Sequence, residues 1–296
     1  MYRFIAIFSI SLLLFTSCRD DRPEYGFVRL VIQHQWNGQP FVANDATEFT
    51  NNAGNTLRFT TFQYIISELT IGGGVGHVRV ENPEVHFIDR DTTILITYQI
   101  PVGEHVGVSF IFGLSDLRNQ TSLFPNLGPP MAWPQGMGGG FHYMKLDGRL
   151  PGTTQTFRLH LGALEELFQV NETTVEWGVG PPPNYNPIPI RTQIDSVFAR
   201  YHNFLRVTVP IVLNVEPNTI TTDTIIMDVE QWLENPWTWN FNVMNFPCTM
   251  PRRFALDSLA VNASTAGNTR GLFRNATITR GRDINNPVLR TVTVFR

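Results

Sequence analysis

The first strand of the chain is the feature that most limits how the chain can fold. Between residues 27 and 36 apolar and polar side chains alternate, with one face formed by Val28, Leu30, Ile32, His34 and Trp36. A period of two residues indicates a β-strand with one buried face. The Asn37-Gly38 dipeptide that follows is the commonest signal for a two-residue hairpin turn. The chain therefore opens as a β-hairpin, which points to antiparallel sheets.

The rest of the chain has the composition of strands joined by turns. It is rich in Thr, Val, Ile, Phe, Asn, Pro and Gly, only 16% of its residues are charged, and it shows no sustained helical period. We predict an all-β fold, an antiparallel β-sandwich with long loops. Further strands are predicted at residues 57–71, 93–100, 106–113, 141–146, 156–161, 204–213 and 224–227, with a turn starting at Asp147-Gly148 and a helical turn at 229–233.

The N-terminus reads as an export signal. Arg3 precedes an apolar run at residues 4–15, and Thr16-Ser17 stand directly before Cys18. The run is too short for a spanning helix, and its ending resembles a bacterial lipobox, in which the cysteine becomes lipidated. A plain signal peptide is the alternative. Residues 19–21, Arg-Asp-Asp, resemble the surface-export signal of Bacteroidetes lipoproteins, so we expect an outer membrane lipoprotein on the cell surface or the periplasmic face.

These signals divide the chain into a signal peptide (1–17), a tether (18–26), a sandwich domain (27–261) and a C-terminal extension (262–296), in which a small hairpin is expected. The net charge of −3 gives no reason to expect nucleic acid, and the membrane would be reached through the lipid alone. After Cys18 the chain has a single cysteine, Cys248, so no internal disulfide is expected.

The chain lacks the motifs of the common enzyme classes. There is no Gly-x-Ser-x-Gly elbow, and its glycine runs lack the residues of a phosphate-binding loop. We therefore predict that it is not an enzyme.

One stretch, residues 131–162, collects groups that bind soft metals. Imidazole and thioether ligands suit copper, and the scarcity of cysteine argues against structural zinc or iron–sulfur sites. The candidate ligands are His34, His142 and His160, with Met131, Met137 and Met144 as softer auxiliaries.

The alternation of the strands complicates this metal site. His142 shares the apolar face of its strand with Met144, whereas His160 lies opposite the apolar residues of strand 156–161. His160 can join a site only if its strand is covered on both faces or if the site lies at a strand end. For His34, a hydrogen-bonded core histidine is the alternative interpretation.

The order of several segments resembles the MbnP-like family, exported copper-binding proteins related to MbnP and CorA. The matching segments span roughly residues 28–236. In order, they read LVIQHQWNGQPF, LRFTTFQYIISELTI, IPVGEHVGVSFIFGLSDLRNQ, MAWPQGMGGGFHYMKLDG, FRLHLG, VTVPIVLNV and MDVEQWLENPW.

The resemblance implies a β-sandwich that binds copper through histidines for scavenging, storage or delivery. It also implies a nearby tryptophan that a dihaem, MauG-like (MbnH-like) partner enzyme can oxidise to kynurenine. His34 matches the family's first-strand histidine, His160 the histidine before Leu-Gly, and Trp133 the tryptophan after Met131, while His142 stands where the family pattern is looser. Pro134 departs from the family's Met-x-Trp-x-Trp form, and a packed indole is the alternative for Trp133.

A second hypothesis is a surface module that binds glycan or protein. Aromatic side chains stack on sugars and anchor interfaces, and four of them crowd the later part of the chain. This platform would consist of Tyr185, Trp232, Trp237 and Trp239.

Overall fold

The computed structural model describes residues 24–72, 77–80, 84–89, 93–135, 139–175, 191–234, 237–243, 274–280 and 288–295. For residues 93–97, 164–175, 191–201, 280 and 288–295 only the backbone is described. The predicted signal peptide, Cys18, Met137, Tyr185 and Cys248 lie outside the described residues. In the part of the chain that is described, no helix is long and apolar enough to cross a membrane.

The described residues form strands joined by loops and short 3₁₀ helices. The strands are β1 (Tyr25–Trp36), β2 (Gln39–Pro40), β3 (Phe49–Thr50), β4 (Thr56–Ile71), β5 (Val78–Arg79), β6 (Val85–Asp89), β7 (Thr93–Pro101), β8 (Gly103–Phe112), β9 (His142–Arg149), β10 (Thr156–Gly162), β11 (Leu164–Val175), β12 (Arg191–Tyr201), β13 (Leu205–Val215), β14 (Ile220–Asp228), β15 (Thr277–Arg280) and β16 (Val288–Phe295). The 3₁₀ helices are Pro125–Leu127, Pro129–Met131 and Val229–Leu233.

The strands form three sheets. The first has the order β14-β1-β2, with β7 on β1. The second runs β10-β9-β4-β8-β13-β15, with β3, β5 and β6 also pairing with β4, and the third is β11-β12-β16. β1 and β14 pair in parallel, and the other ladders among the described residues are antiparallel. The predicted all-β sandwich is confirmed.

Aromatic side chains fill the space between the first two sheets. Trp36 of β1 lies against Phe59 of β4, with 5.3 Å between ring centroids, and Phe41 packs against both of them. All three are buried. Burial of apolar area is the main favourable term in folding, so the buried face that the sequence pattern assigns to β1 joins the two sheets.

The predicted hairpin after β1 is confirmed in detail. Asn37 and Gly38 have φ angles of 48° and 79°, the left-handed pair that a type I′ turn requires. The turn is followed at once by β2, which pairs back onto β1. The helical turn expected at 229–233 is present as a 3₁₀ helix.

The turn predicted at Asp147-Gly148 is wrong. Strand β9 continues through both residues to Arg149. A Cβ on Gly148 would lie 2.3 Å from the Arg58 carbonyl oxygen and 2.4 Å from the Phe157 ring. This glycine therefore allows two neighbours to approach a strand closely, and the chain does not turn there.

In the described part of the C-terminal extension, β15 and β16 do not pair with each other as a hairpin would. β15 pairs with β13 at the edge of the second sheet, and β16 pairs with β12 in the third. Just before β15, the Arg274 guanidinium donates two hydrogen bonds of 2.8 Å to the buried carboxylate of Asp228 at the end of β14. Strands from distant parts of the chain thus complete two different sheets.

Candidate metal centre

Residues 113–135 and 139–141, which lie between β8 and β9 in the chain, pack over β9 and β10. The Trp133 backbone N–H donates to the Gly140 carbonyl at 2.9 Å, and Ala132 bridges to Phe141. The Lys145 ammonium of β9 donates to the Pro130 carbonyl. The loop is therefore attached to the strand, and it buries Met131 and Trp133.

A β-bulge at the start of β9 sets the direction of His142. In the β9–β10 ladder Leu161 pairs with Met144 but Gly162 pairs with His142, so Tyr143 is the extra residue. A bulge of this kind re-aims the side chains before it. The His142 ring therefore contacts the ring of His160, with 4.9 Å between centroids, although the alternation of the sequence predicts opposite faces for the two.

His142 is a neutral, buried imidazole with a defined proton position. Its Nδ1 lies 3.3 Å from the Met131 carbonyl oxygen. A carbonyl can only accept, so Nδ1 carries the proton and Nε2 the lone pair. That Nε2 is buried and has no hydrogen-bond partner in the described residues. Burial, with smaller electrostatic contributions from the neighbouring His160 and Lys145, lowers the pKa of His142 to about 3.

His160 lies on the same face of the sheet and is held by a carboxylate. Its Nε2 is 2.7 Å from Oδ1 of Asp147 on β9. The Phe157, Leu159 and Leu161 side chains of β10 are buried on one face, and His160 is buried on the other at 7% exposure. β10 is therefore covered on both faces, which is one of the two conditions under which His160 can join a metal site.

The Trp133 indole closes the site. Its ring centroid is 4.8 Å from that of His142, at 73°. The benzo ring lies directly on Gly162, where a Cβ would come within 2.6 Å of it. Trp133 is therefore a packed indole, the alternative that the sequence allows, and it lies in contact with a candidate ligand.

The structure brings four of the predicted site residues together in one cluster, which consists of His142, His160, Trp133 and Met131. Met131 contributes its carbonyl to His142 and is fully buried. Met144 pairs with Leu161 and with Tyr64 of β4. Its side chain therefore lies on the face of the sheet opposite to the His160 ring.

His34 is not brought to this cluster. Its Nε2 is hydrogen-bonded to Tyr64 Oη at 2.8 Å, and its ring packs edge-on against Phe62 at 5.0 Å. Phe62 and Tyr64 pair with Leu146 and Met144, on the face of the second sheet that His160 does not share. The sheet thus separates His34 from His160, and His34 is a hydrogen-bonded histidine between the sheets, as in the alternative interpretation.

The donor set at His142 and His160 fits one soft ion of low coordination number. A metal–imidazole bond is about 2 Å long, so rings this close can share one ion, and the orphaned Nε2 of His142 is a ready donor. No cluster of three or more His, Cys, Asp or Glu side chains able to hold a metal occurs in the described parts of the chain. Within the described parts of the chain, a further ligand would therefore be of another donor type, such as the Met131 thioether.

Two further residues, Asp147 and Gly162, contact this cluster, and the sequence pattern does not single out either of them. The Asp147-Gly148 dipeptide is typical of a turn, and a turn at this point gives no reason to expect Asp147 beside His160. Gly162 was noted only as part of the Leu-Gly motif. The signal that could have found Asp147 is the ladder itself, since it pairs with Arg158, two residues from His160, on the same face.

The predicted aromatic platform does not form. Trp232 and Trp239 are buried in the core, and Trp232 packs against Phe112 at 5.3 Å. Trp237 is 49% exposed, and Tyr185 lies outside the described residues. Because Trp232 and Trp239 are buried, they cannot form an exposed binding surface together with Trp237.

Comparison with known proteins identifies the family. The family model for MbnP matches residues 25–250. Among solved structures, MbnP from Methylosinus trichosporium is similar at 14% sequence identity, with 76% of this chain and 80% of that chain covered and a TM-score of 0.42. A search of curated protein sequences finds no match. Because the family model covers most of the chain, the protein belongs to the MbnP family.

Proposed function

We propose that the protein binds copper between His142 and His160, beneath Trp133, and that it scavenges, stores or delivers the metal without catalysing a reaction. The observation that carries this proposal is the buried Nε2 of His142, which has no hydrogen-bond partner among the described residues and lies in a ring 4.9 Å from that of His160. A buried polar atom without a hydrogen bond lowers the stability of the fold. A ligand that binds the Nε2 atom of His142 would explain why this arrangement is kept.

The surroundings favour copper over harder metals. Hard cations such as Mg²⁺ and Ca²⁺ prefer several oxygen ligands, whereas this cluster presents two nitrogen donors and a buried methionine. Because the pKa of His142 is about 3, this ligand needs no deprotonation near neutral pH. Membership of the MbnP family is consistent with a role in copper handling.

Copper titration of the purified protein against a competing chelator tests the proposal. We expect His142→Ala and His160→Ala each to weaken binding by more than about 100-fold, because loss of an outer-shell partner alone costs about 10- to 100-fold. The matched control is His86→Ala, since His86 is buried and bonded to Tyr98 Oη at 2.7 Å, away from the cluster. Equal affinities in wild type and both ligand variants would contradict the proposal.

We further propose that Trp133 is the residue a dihaem, MauG-like partner enzyme oxidises to kynurenine. Its contact with His142 supports this, because a modified side chain there would lie beside the copper ligand. Cleavage of the indole C2–C3 bond would place one oxygen atom on each carbon and give N-formylkynurenine, while two molecules of hydrogen peroxide are reduced to two of water by the partner enzyme. Hydrolysis of the formyl group would then consume one water, release formate and leave kynurenine. Mass spectrometry of the 131–145 peptide after co-expression tests this, and an unmodified peptide would contradict it.

The export signals support a proposed location. A lipid on Cys18 would anchor the protein to the outer membrane, at the cell surface or the periplasmic face, through the 18–26 tether. Membrane fractionation of wild type and Cys18→Ser, followed by protease treatment of whole cells, tests both points. A wild-type protein that remains soluble after export would contradict the anchor.

A further inference from the structure

We propose that Asn119 is a positioning residue of the metal site, whose side-chain amide holds the β-bulge at Tyr143 and thereby keeps His142 turned toward His160. The inference rests on the proposed copper function. It assigns a role to a buried residue of the segment between β8 and β9 that is not among the candidate ligands.

The first step is the pair of hydrogen bonds that the Asn119 amide forms. Its Oδ1 accepts the backbone N–H of Phe141 at 2.8 Å, and its Nδ2 donates to the Tyr143 hydroxyl at 3.1 Å. Asn119 is 4% exposed, so both bonds are shielded from water. The two partners are the residues immediately before and after His142. One side chain therefore holds the chain on both sides of the candidate ligand.

The second step is that the Asn119 amide favours the register that directs His142. Tyr143 is the extra residue of the bulge between β9 and β10, and its side chain is fully buried. A shift of one residue in a ladder reverses the direction of the side chains, so loss of the bulge would turn His142 away from His160. The bond from Asn119 to Tyr143 holds the extra residue in place and favours the register in which the two histidine rings meet.

The third step is that the same amide supports the acceptor of the His142 proton. Phe141, whose N–H donates to Asn119, bridges to Ala132, and Ala132 directly follows Met131. The Met131 carbonyl accepts the hydrogen bond from Nδ1 of His142 at 3.3 Å. Asn119 therefore supports both the ring and the group that sets its tautomer. Groups that orient metal-binding histidines in this way influence metal affinity without touching the ion.

The fourth step is that Asn119 is itself connected to the second sheet. Its backbone N–H donates to the Ser115 carbonyl at 2.9 Å, and the Ser115 hydroxyl donates to the carboxylate of Glu68. Glu68 belongs to β4, an interior strand, at an irregularity of the ladder between β4 and β8. The amide is thus held by a strand of the scaffold, and groups held in this way are placed precisely.

The test begins with the apo protein. In wild type, ¹⁵N chemical shifts of the His142 ring should report a proton on Nδ1, and nuclear Overhauser effects should connect the rings of His142 and His160. In Asn119→Ala we expect a mixture of His142 tautomers and loss of most of the ring-to-ring signal. Tyr143→Phe removes one of the two hydrogen bonds and should give a smaller change of the same kind. Copper affinity should fall by about 10-fold or more in Asn119→Ala, as for other residues that orient ligands.

The matched control is Asn51→Ala. Asn51 is also 4% exposed, and its amide also forms two hydrogen bonds, accepting the Asn55 N–H at 2.9 Å and donating to the Trp239 carbonyl at 2.7 Å. Thermal unfolding should show a similar loss of stability in Asn51→Ala and Asn119→Ala. The His142 signals and the copper affinity should change in Asn119→Ala alone.

Wild-type His142 signals or wild-type copper affinity in Asn119→Ala, or an equal change of these signals in Asn51→Ala, would overturn the role of Asn119. If Asn119→Ala does not fold, Tyr143→Phe decides, and wild-type His142 signals in that variant would overturn the proposal. If His142→Ala binds copper as tightly as wild type, the proposed copper site has failed, and the signals of the apo protein still decide whether Asn119 positions His142.

Discussion

The second sheet has a histidine site on each of its two faces, and the two sites are built differently. On the inner face, His34 reaches across from β1 and its Nε2 bonds to Tyr64 Oη, among fully buried aromatic rings. On the other face, His142 and His160 lie ring to ring under a loop, and no described residue forms a hydrogen bond with the Nε2 of His142.

The difference separates a histidine that stabilises the fold from histidines that are arranged for a ligand. Burial raises the pKa of Tyr64 well above its usual value, so its hydroxyl stays protonated and can serve His34 as a donor. Around His142 the outer groups fix one nitrogen and leave the other as a donor. The contrast predicts that changes on the inner face alter stability and that changes on the outer face alter copper binding.

The largest effect is expected for His34→Ala. The substitution leaves a ring-sized cavity beside Phe62 and removes the partner of a buried hydroxyl, so stability should fall by about 3–5 kcal/mol. Copper affinity of the folded protein should stay within about twofold of wild type, because the sheet lies between the two sites. Chemical denaturation measures the stability, and copper titration measures the affinity. A His34→Ala variant that has normal stability but no longer binds copper would show that His34 serves the metal and not the fold.

The next effect concerns Glu230, which follows β14 close to the inner site. Burial, with a smaller contribution from Asp228, raises its pKa to about 7 from a usual 4.5. The folded protein therefore retains a proton that the unfolded chain releases above about pH 4.5, so this stabilisation is present at acidic pH and is lost as the pH rises through 7. We expect a loss of up to about 3 kcal/mol between pH 5 and pH 8, at about 1.4 kcal/mol per pKa unit.

Urea denaturation at both pH values tests this for wild type and Glu230→Gln. The Gln variant should lose most of the pH dependence, while Glu216→Gln, at an exposed position, should retain it. Parallel pH curves for wild type and Glu230→Gln would show that Glu230 does not cause the decline.

The smallest effect is expected for Gly162→Ala on the outer face. The new Cβ would come within 2.6 Å of the Trp133 ring, so the indole must move, at a cost of about 1–3 kcal/mol. Tryptophan fluorescence should shift as Trp133 leaves its buried position, and copper affinity should fall with it. Gly152→Ala is the control, because a Cβ there meets nothing within 4 Å, although its φ of +75° adds strain. The same spectrum in both variants would argue against a close fit between Trp133 and Gly162.

Much of the fold could be predicted because strands and turns are coded locally. The alternation in β1, the Asn37-Gly38 turn and the 3₁₀ helix after β14 depend on residues next to one another in the chain. The parallel pairing of β1 with β14 and the separate destinations of β15 and β16 join segments distant in sequence, so no local pattern could predict them.

The candidate site could be predicted in its residue types but not in its geometry. The sequence by itself determined that imidazole, thioether and indole groups collect between residues 131 and 162 on strand-forming segments. Only the tertiary structure decided which of them meet. One extra residue at Tyr143 turns His142 toward His160, the strand through Gly148 brings Asp147 to His160, and the thickness of a sheet keeps His34 away. Side-chain direction in a sheet reverses with each single-residue change of register, and the register is set by the ladder between strands.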